Sequence, residues 1–272
     1  MPELPEVETL RRALWPLIGE RVLRRARFLR PDLRFPIPAD TLKTRLEGRP
    51  LRRIRRRGKY LLLESEPGSM LWHLGMSGRV VRRPSPEPVE AHTHAVFEYE
   101  PGIFLHFVDP RRFGAILWVP PEGNHPLLDH LGPDPLDPAT TAAALYQRAR
   151  TCRGPIKSFL MNATRLAGVG NIYACEALFE AGISPRRGAH RLRRSDWERL
   201  LAGLRRTLEQ SIAAGGTTLR DFYQADGNPG YYRLELSVYG REGEPCPRCG
   251  QPVRRIVQTA RSTFFCPPCQ KK

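Results

Sequence analysis

The first six residues of the chain combine groups that could form a covalent bond to an electrophilic carbon. Proline at position 2 follows a Met that cells usually remove before a small residue, and its removal would expose a secondary amine. Such an amine attacks carbonyl-like carbon and forms an iminium, and an α-amino group that titrates at about pH 8 is partly unprotonated at neutrality. Glu3 and Glu6 lie close by in sequence and could transfer protons. Acids at this position are also ordinary helix caps, so spacing alone leaves both interpretations open.

Four cysteines near the end of the chain have the spacing of a zinc site. Cys246 and Cys249 form one C-x2-C pair, Cys266 and Cys269 form another, and 16 residues separate the pairs. Each pair lets a tight turn direct two thiolates at one ion, and four thiolates complete the tetrahedron that Zn²⁺ prefers. We therefore expect one structural zinc with no open position for catalysis. Disulfides or reactive thiols are the alternative.

The charge of the chain indicates a polyanionic partner. Its 272 residues contain 44 Lys and Arg against 28 Asp and Glu, which is a formal net charge of +16. This excess favours nucleic acid over a membrane surface, although it also fits a solubility device or a ribosome-associated protein. Between Arg49 and Lys59 seven of eleven residues are basic, and a second basic stretch covers 21–30. Both flank β-like segments, so we expect a row of charges along a sheet edge.

The sequence also bears on where the protein works. No apolar run approaches the roughly 20 residues needed to span a bilayer, so we expect no membrane partner. The prolines and acids of MPELPEVETL fit neither a signal peptide nor a basic transit peptide. We therefore expect a cytoplasmic protein in a reducing compartment, where clustered cysteines bind metal. Cys152 and Cys175, which stand outside the two pairs, are expected to be buried apolar residues.

The elements that must position these groups divide at a proline-rich segment. Residues 5–15 have apolar positions at helical spacing, with Pro5 suited to the first turn and Pro16 expected to end or kink the helix. Residues 20–119 show short apolar runs separated by glycine-marked turns, which predicts a β-sandwich or barrel. Six prolines fall within 120–138, which predicts a domain linker.

Beyond the linker the pattern is helical. A helical segment is predicted near 155–166, a second helix with Asn171 as its N-cap, and a third opened by a capping box from Ser195 to Glu198. The expected domains are 1–120, a linker 121–138, a helical domain 139–236 and a zinc finger 237–272.

Six motifs occur together and in order. They are PELPEVET at 2–9, RRGKYL at 56–61, HLGMSG at 73–78, DPRRFG at 109–114, GVGNIYA at 168–174 and the four-cysteine tail. Together they resemble the formamidopyrimidine-DNA glycosylases, bacterial enzymes that remove oxidised purines such as 8-oxoguanine, over essentially the whole chain. Sister glycosylases of the endonuclease VIII type prefer oxidised pyrimidines and typically begin PEGPE, so Leu4 favours the purine-directed branch.

The resemblance implies an α+β fold and a chemical mechanism. The fold would be an N-terminal helix and β-sandwich domain, then a helix–two-turn–helix domain with a C-terminal zinc-binding β-hairpin. A monomer without organic cofactor would act on damaged double-stranded DNA. Pro2, freed of Met1, would attack C1′ of the damaged nucleotide, and β,δ-elimination would then cut the strand. Glu3 would protonate the sugar-ring oxygen, Glu6 would support it and Lys59 would contact the lesion strand.

A further group of residues is implied to contact DNA. Met76 and Phe113 would fill the hole left by an extruded nucleotide, and Arg111 would hydrogen-bond the orphaned base opposite. Asn171 and Arg261 would clamp a phosphate. The remaining implied contacts are His73, His92, Lys157 and Tyr173.

Two segments and one single residue also bear on the comparison with the family. Residues 217–232 resemble the mobile loop that closes over the everted base. Asn162 stands where the family often carries Asp, and an uncharged Asn holds a turn but makes no charge-dependent contact. The basic stretch 190–194 would add non-specific affinity for DNA. Two other functions remain open: a glycosylase for oxidised pyrimidines, and a non-catalytic zinc-ribbon binder of nucleic acid.

Overall fold

The structure is a computed structural model that describes residues 2–215 and 236–271. These residues divide into two compact units, one that runs to Asp129 and one that contains His130–Ala214 and the C-terminal residues from 236. The loop predicted at 217–232 lies outside the described residues. Among the described helices, none has both the length and the apolar character needed to cross a membrane.

Two antiparallel sheets and a long helix make up the first unit. Its elements are α1 (Leu4–Ile18), β1 (Val22–Phe28), α2 (Ala39–Leu46), β2 (Arg49–Pro50), β3 (Arg53–Arg57), β4 (Tyr60–Ser65), β5 (Gly68–His73), β6 (Arg79–Arg83), β7 (Thr93–Tyr99), β8 (Ile103–Val108), β9 (Ala115–Val119) and the one-turn helix α3 (Pro126–Asp129). One sheet has the strand order β2-β1-β7-β8-β6 and the other β3-β4-β5-β9. All of the pairings are antiparallel.

The two sheets pack face to face as the predicted β-sandwich. Trp72 of β5 lies with its ring centroid 5.1 Å from that of Phe97 of β7, so side chains of the two sheets meet in one core. The same core takes in Leu10 and Leu14 of α1. Burial of these apolar side chains is the main stabilising term, and it fixes α1 against the sandwich.

Helix α1 is longer than the sequence predicted. Pro5 lies in its first turn as expected, but the helix continues past Pro16 and ends at Ile18. Proline removes one hydrogen bond from a helix, but Leu14 and Ile18 are completely buried on either side of it. This buried face holds the last turn in place.

The two basic stretches differ in position. Strand β3, which carries the stretch that ends at Lys59, is an edge strand as predicted. The stretch at 21–30 lies largely on β1, which is an interior strand of the other sheet, so the expectation of an edge was wrong there. Exposed residues of β1, such as Arg24 and Arg25, point their charges away from the core.

The second unit is helical and ends in a β-hairpin. Its elements are α4 (Ala142–Ala149), α5 (Ile156–Met161), α6 (Asn171–Glu180), a 3₁₀ turn (Ala189–Arg191), α7 (Arg194–Ala213), β10 (Arg254–Gln258) and β11 (Arg261–Phe265). The tip of the hairpin is formed by Thr259 and Ala260, which both have positive φ. That conformation is typical of a two-residue hairpin turn.

Three predicted helix boundaries of this unit were wrong. Helix α5 stops at Met161, because Asn162 Oδ1 accepts the backbone N–H of Thr164 and turns the chain. Asn171 is the first helical residue of α6, and the N-cap is Gly170. Helix α7 begins before Ser195, because the Asp196 carboxylate accepts the N–H of Arg193 at 2.9 Å and draws that residue into the cap.

Candidate functional site

The N-terminus of α1 holds two buried carboxylates beside Pro2. Glu3 is 2% and Glu6 4% exposed. Glu3 is the N-cap, and its N–H donates to Glu6 Oε2 at 2.8 Å. Capping acids are usually solvent-exposed, and carboxylates are seldom fully buried without a role. Burial sets these two acids apart from an ordinary exposed cap, because they cap the helix and are enclosed at its N-terminus beside the half-buried Pro2.

Lys59 stands at the tip of the hairpin between β3 and β4, where Arg57 pairs with Tyr60. Arg56, two residues before Gly58, donates from Nη1 to the Gly58 carbonyl at 3.2 Å and from Nε to Glu8 Oε2 at 3.2 Å. Burial raises the pKa of Glu8, but hydrogen bonds from Arg11 and Arg12 and the charge of Arg56 outweigh it and hold the pKa at about 2. Glu8 is therefore ionised at neutral pH.

His73 lies at the end of β5 and is a neutral residue in this site. Burial, together with the charges of Lys59 and Arg34, lowers its pKa to about 4. Its Nδ1 accepts the N–H of Gly75 at 3.2 Å, which places the ring proton on Nε2. The ring also stacks against Tyr60 with 4.8 Å between centroids. His73 thus organises the turn that follows it, and as a phosphate contact it would not act as a cation.

Two turns of the first unit present exposed side chains. Met76, in the turn after β5, is 41% exposed, and Phe113, in the turn before β9, is 45% exposed. The guanidinium of Arg111 lies over the Phe113 ring at 4.9 Å. Large exposed apolar side chains on rigid turns are suited to insertion into a base stack. The structure thus places Met76, Arg111 and Phe113 on two tips of the same sandwich.

His92 has a different setting from His73. It is exposed and has a positive φ of 65°. Its carbonyl accepts the N–H of Asp109 at 3.0 Å, which ties the start of β7 to the turn that carries Arg111.

In the second unit the carbonyl of Ser262 accepts hydrogen bonds from two of the predicted site residues. Lys157 Nζ donates to Ser262 O at 3.0 Å and to Thr263 Oγ1 at 2.6 Å, and Asn171 Nδ2 donates to the same carbonyl at 3.0 Å. Ser262 directly follows Arg261 on β11. Helices α5 and α6 are thereby bonded to the zinc hairpin at the position of Arg261.

Lys157 and Arg261 border a cleft. It has a volume of about 200 Å³ and is lined by Lys157, Ser158, Met161, Asn162, Gln258, Thr259 and Arg261. The two cationic residues of the lining are Lys157, which is 1% exposed, and Arg261, which is exposed. Fixed positive charge beside hydroxyl and amide donors is suited to a phosphate group.

Tyr173 occupies the interior of the second unit. Its side chain is completely buried, and its hydroxyl shares a hydrogen bond of 2.6 Å with Ser211 Oγ on α7. The side chain therefore holds α6 against α7 from inside, and the surface of α6 near DNA would be formed by its backbone and by Asn171.

The four predicted zinc ligands meet at one point. The Sγ atoms of Cys246, Cys249, Cys266 and Cys269 all lie within 4.8 Å of one another. The distance is 3.8 Å for the 246–269 pair and 3.5 Å for the 249–266 pair. A tetrahedron with Zn–S bonds of about 2.3 Å has edges of about 3.8 Å, so the geometry fits a closed Cys₄ structural zinc site. Cys175 is buried as predicted, whereas Cys152 is only half-buried.

A buried carboxylate connects α6 to the zinc module. Glu176 accepts the backbone N–H groups of Ser237, Val238 and Tyr239 at 2.8, 2.9 and 2.8 Å. Tyr239 in turn lies 3.5 Å from Asn171 Nδ2 through its hydroxyl. Glu176 therefore holds the segment that leads into the zinc finger next to Asn171, which is predicted to bind phosphate.

Several residues of these networks were missed at the level of sequence. They are Glu8, Arg56, Asp109 and Glu176. Each of the first three lies inside a motif that carried the resemblance, which was the available signal, but a motif does not show which of its residues act through contacts between distant segments.

Family models and relatives agree with this architecture. Residues 1–116 match the formamidopyrimidine-DNA glycosylase N-terminal domain, 131–223 match the H2TH domain of the same enzymes, and 243–272 match a zinc finger found in FPG and IleRS. Formamidopyrimidine-DNA glycosylases from Acidithiobacillus ferrooxidans and Stenotrophomonas maltophilia are 49% and 47% identical to the chain over 271 residues, with full coverage of both sequences. The chain belongs to the formamidopyrimidine-DNA glycosylases.

Solved structures of this family share its fold. The MutM (Fpg) protein of Thermus thermophilus matches with a TM-score of 0.86 at 43% identity, covering 99% of this chain and 98% of that one. Lactococcus lactis formamidopyrimidine-DNA glycosylase, non-covalently bound to DNA with an AP site, matches with a TM-score of 0.87 at 32% identity, covering 99% and 100%. The predicted family and α+β fold are confirmed, and as a family member the chain is a DNA glycosylase with a structural zinc finger.

Proposed function

We propose that this glycosylase excises oxidised purines, 8-oxoguanine and formamidopyrimidines, from duplex DNA and then cuts the strand at the resulting abasic site. The observation that carries the proposal is the pair of buried carboxylates, Glu3 and Glu6, at the end of α1 next to Pro2. Solved relatives support the substrate class, since they include complexes with DNA that contains carbocyclic 8-oxo-G or Fapy-dG.

The reaction begins at the nitrogen of Pro2 after Met1 has been removed. The secondary amine attacks C1′ of the damaged nucleotide, the N–C1′ bond forms and the glycosidic bond breaks, and the proton that the nitrogen loses is taken up by the departing base. Opening of the sugar ring gives a charged iminium, which needs no further proton to remain electrophilic. Loss of a proton from C2′ and departure of the 3′-phosphate, followed by δ-elimination of the 5′-phosphate, cut the strand on both sides of the sugar.

Glu3 supplies the protons of this sequence. Protonation of the sugar-ring oxygen makes ring opening possible, and the same carboxylate then takes a proton during elimination. Glu6 holds the N–H of Glu3 and so fixes the position of the first carboxylate. Lys59, at its hairpin tip, holds the lesion strand from the side of the sandwich.

The other predicted residues hold the DNA. Lys157 and Arg261 bind phosphate at the cleft in the second unit. Asn171, whose Nδ2 shares the Ser262 carbonyl with Lys157, binds phosphate beside them, and the α6 backbone contributes next to Tyr173. His73 and His92 are further contacts to phosphate. These contacts position the duplex, because phosphates carry no sequence information.

The exposed tips carry out the extrusion of the damaged nucleotide. A base within the stack shields its glycosidic bond, so the nucleotide must leave the helix. Met76 and Phe113 then fill the hole, and Arg111 hydrogen-bonds the base left without a partner.

The same proposal covers partners and organisation. The enzyme acts as a monomer on chromosomal DNA in the bacterial cytoplasm, with a catalytic domain 1–120, a linker 121–138, a helical domain 139–236 and a zinc finger 237–272. Its four-coordinate zinc holds the module that carries Arg261 in place and takes no part in the chemistry.

Two measurements test the function. Borohydride is expected to trap a covalent complex with an 8-oxoguanine duplex, and acetylation of the N-terminus is expected to abolish it. Glu3→Gln should suppress base excision, whereas the exposed control Glu122→Gln should not. Trapping that survives a blocked terminus would contradict the assignment of Pro2.

Substrate class is tested by excision from 8-oxoguanine and thymine glycol duplexes side by side. Faster excision of 8-oxoguanine is expected. A preference for thymine glycol would place the chain with the pyrimidine-directed enzymes.

A further inference from the structure

A buried carboxylate joins the two turns that carry the exposed wedge residues. Asp109 is completely buried. Its Oδ1 accepts the hydroxyl of Ser77 at 2.8 Å, and its Oδ2 accepts the N–H of Gly114 at 2.8 Å. Ser77 belongs to the turn after β5, and Asp109 and Gly114 bound the turn between β8 and β9. One side chain therefore bonds both turns at once.

The hydroxyl of Ser77 makes a second hydrogen bond to the turn between β8 and β9. Its oxygen accepts the backbone N–H of Arg111 at 3.3 Å, while it donates its own proton to Asp109. The residue after Met76 is thus bonded to the backbone of Arg111. The Asp109 main chain is held from the other side, because its carbonyl accepts His94 Nε2–H at 2.8 Å.

Close backbone packing joins the turns at a second point. Gly75 has a φ of 61°, and a Cβ at that position would lie 2.4 Å from the carbonyl carbon of Phe113. Its N–H is held by His73 Nδ1 at 3.2 Å, and the His73 ring also makes a backbone hydrogen bond with Phe113. Met76 is therefore flanked by residues that contact the other turn on both sides, Gly75 before it and Ser77 after it.

We propose that Ser77 and Asp109 are positioning residues that assemble Met76, Arg111 and Phe113 into one preformed wedge for extrusion of the damaged nucleotide. This inference rests on the proposed function. Filling a hole in the stack requires the inserting side chains to enter together. A turn that becomes ordered only when DNA binds loses conformational entropy at that moment, and this loss raises the barrier to extrusion and slows the reaction. A shared buried anchor removes that loss beforehand, since the tips cannot move apart without leaving the carboxylate unpaired.

Single-turnover kinetics on two substrates test the proposal. Ser77→Ala keeps the fold while it removes the link, and it is expected to slow excision from an 8-oxoguanine duplex by about tenfold, which is the loss of one hydrogen bond to a charged group. A 2-aminopurine next to the lesion should report slower unstacking in the same variant. Cleavage of a single-stranded oligonucleotide with a preformed abasic site needs no extrusion and should stay within about twofold of wild type.

Three companion variants separate positioning from general stability. Ser77→Thr keeps the hydroxyl and should restore the rate. Ser65→Ala removes a comparable hydroxyl, which donates to the Pro50 carbonyl away from the tips, and should change neither reaction. Phe113→Ala should cost less in the Ser77→Ala background than in wild type, because residues that act as a unit are not additive.

The outcomes are distinct. If Ser77→Ala excises at the wild-type rate, slows both reactions equally, or combines additively with Phe113→Ala, the positioning role is wrong. Asp109→Asn, with its melting temperature measured alongside, should show the same selective slowing of excision. If the wild-type enzyme itself neither excises 8-oxoguanine nor cleaves the abasic oligonucleotide, the proposed function fails instead.

Discussion

Arg56 on the edge strand β3 forms an ion pair with Glu8 on α1, with 3.2 Å between Nε and Oε2 and with both side chains about nine-tenths buried at 10% and 11% exposure. The same guanidinium donates to the Gly58 carbonyl in the hairpin that carries Lys59. The pair therefore ties the helix that begins with the two buried acids to the hairpin of the predicted lesion-strand lysine. Breaking one partner of a buried pair leaves a desolvated charge behind.

Arg56→Met should lower both stability and excision. We expect a loss of about 1.5–3 kcal/mol in the free energy of unfolding, the range for hydrogen bonds to charged groups, together with a larger fall in kcat than in DNA affinity. Urea denaturation and single-turnover excision measure the two effects. Arg55→Met is the matched control, because Arg55, on the exposed face of β3, pairs with Glu64 of the neighbouring strand β4, and surface pairs contribute at most about 1 kcal/mol. Equal losses in the two variants would contradict the link.

The pKa of His73 predicts a specific pH dependence of stability. Burial and the nearby cations lower this pKa to about 4 from its ordinary value of 6.5. Between these pH values the unfolded chain binds a proton at this position that the folded chain does not, so stability should rise with pH through this window and be lost as pH falls toward 4. His73→Gln should flatten this part of the curve when unfolding is measured at about pH 4.5, 5.5 and 6.5.

The control for this prediction is the exposed His190→Gln. It should leave the slope unchanged. A ring resonance of His73 that titrates at about pH 6.5 in NMR, the value of an unperturbed imidazole, would contradict the prediction directly.

Loss of zinc should weaken DNA binding through Arg261. Cys249 is the exposed ligand of the set, and Cys249→Ser removes one thiolate from the tetrahedron. Because zinc binding contributes directly to the folding of such modules, we expect loss of the metal, a lower melting temperature and a Kd for abasic duplex raised by about tenfold or more. Metal analysis and fluorescence anisotropy measure the outcome. Cys152→Ser, outside the cluster, should keep both zinc and affinity.

The basic segment after Pro185 should contribute to salt-dependent affinity. It lies beside α5, since the Ile156 N–H donates to the Arg187 carbonyl at 2.8 Å. The side chains of Arg186, Arg191 and Arg193 are exposed and form no ion pair among residues 2–215 and 236–271.

Neutralising these three arginines to Gln should lower the slope of log K against log salt by about 0.9 for each phosphate that the protein no longer neutralises. The turnover of saturating substrate should not change. The triple variant Arg24, Arg25 and Arg30 to Gln, which has the same charge change on the first unit, serves as the control. Equal slopes for the two triples would show that only net charge matters.

The sequence by itself determined the parts of this protein that depend on local spacing. The C-x2-C pairs specify a Cys₄ site because each pair needs only one turn to place two thiolates. Alternating apolar residues predict the sandwich, and six ordered motifs identify the family. Pro5 and the buried face of α1 were likewise readable, because a helix repeats its contacts every three to four residues.

Tertiary structure alone decided what distant segments do together. The spacing of Glu3 and Glu6 fits a simple cap, and only the fold shows that both carboxylates are buried. Asp109 and Ser77 are 32 positions apart in the sequence, yet their side chains share a hydrogen bond. A hydrogen bond between loops depends on the fold that brings its two atoms together, and no local pattern encodes that distance. The end of α1 beyond Pro16 was settled in the same way, by burial of Leu14 and Ile18 in a core built from both sheets.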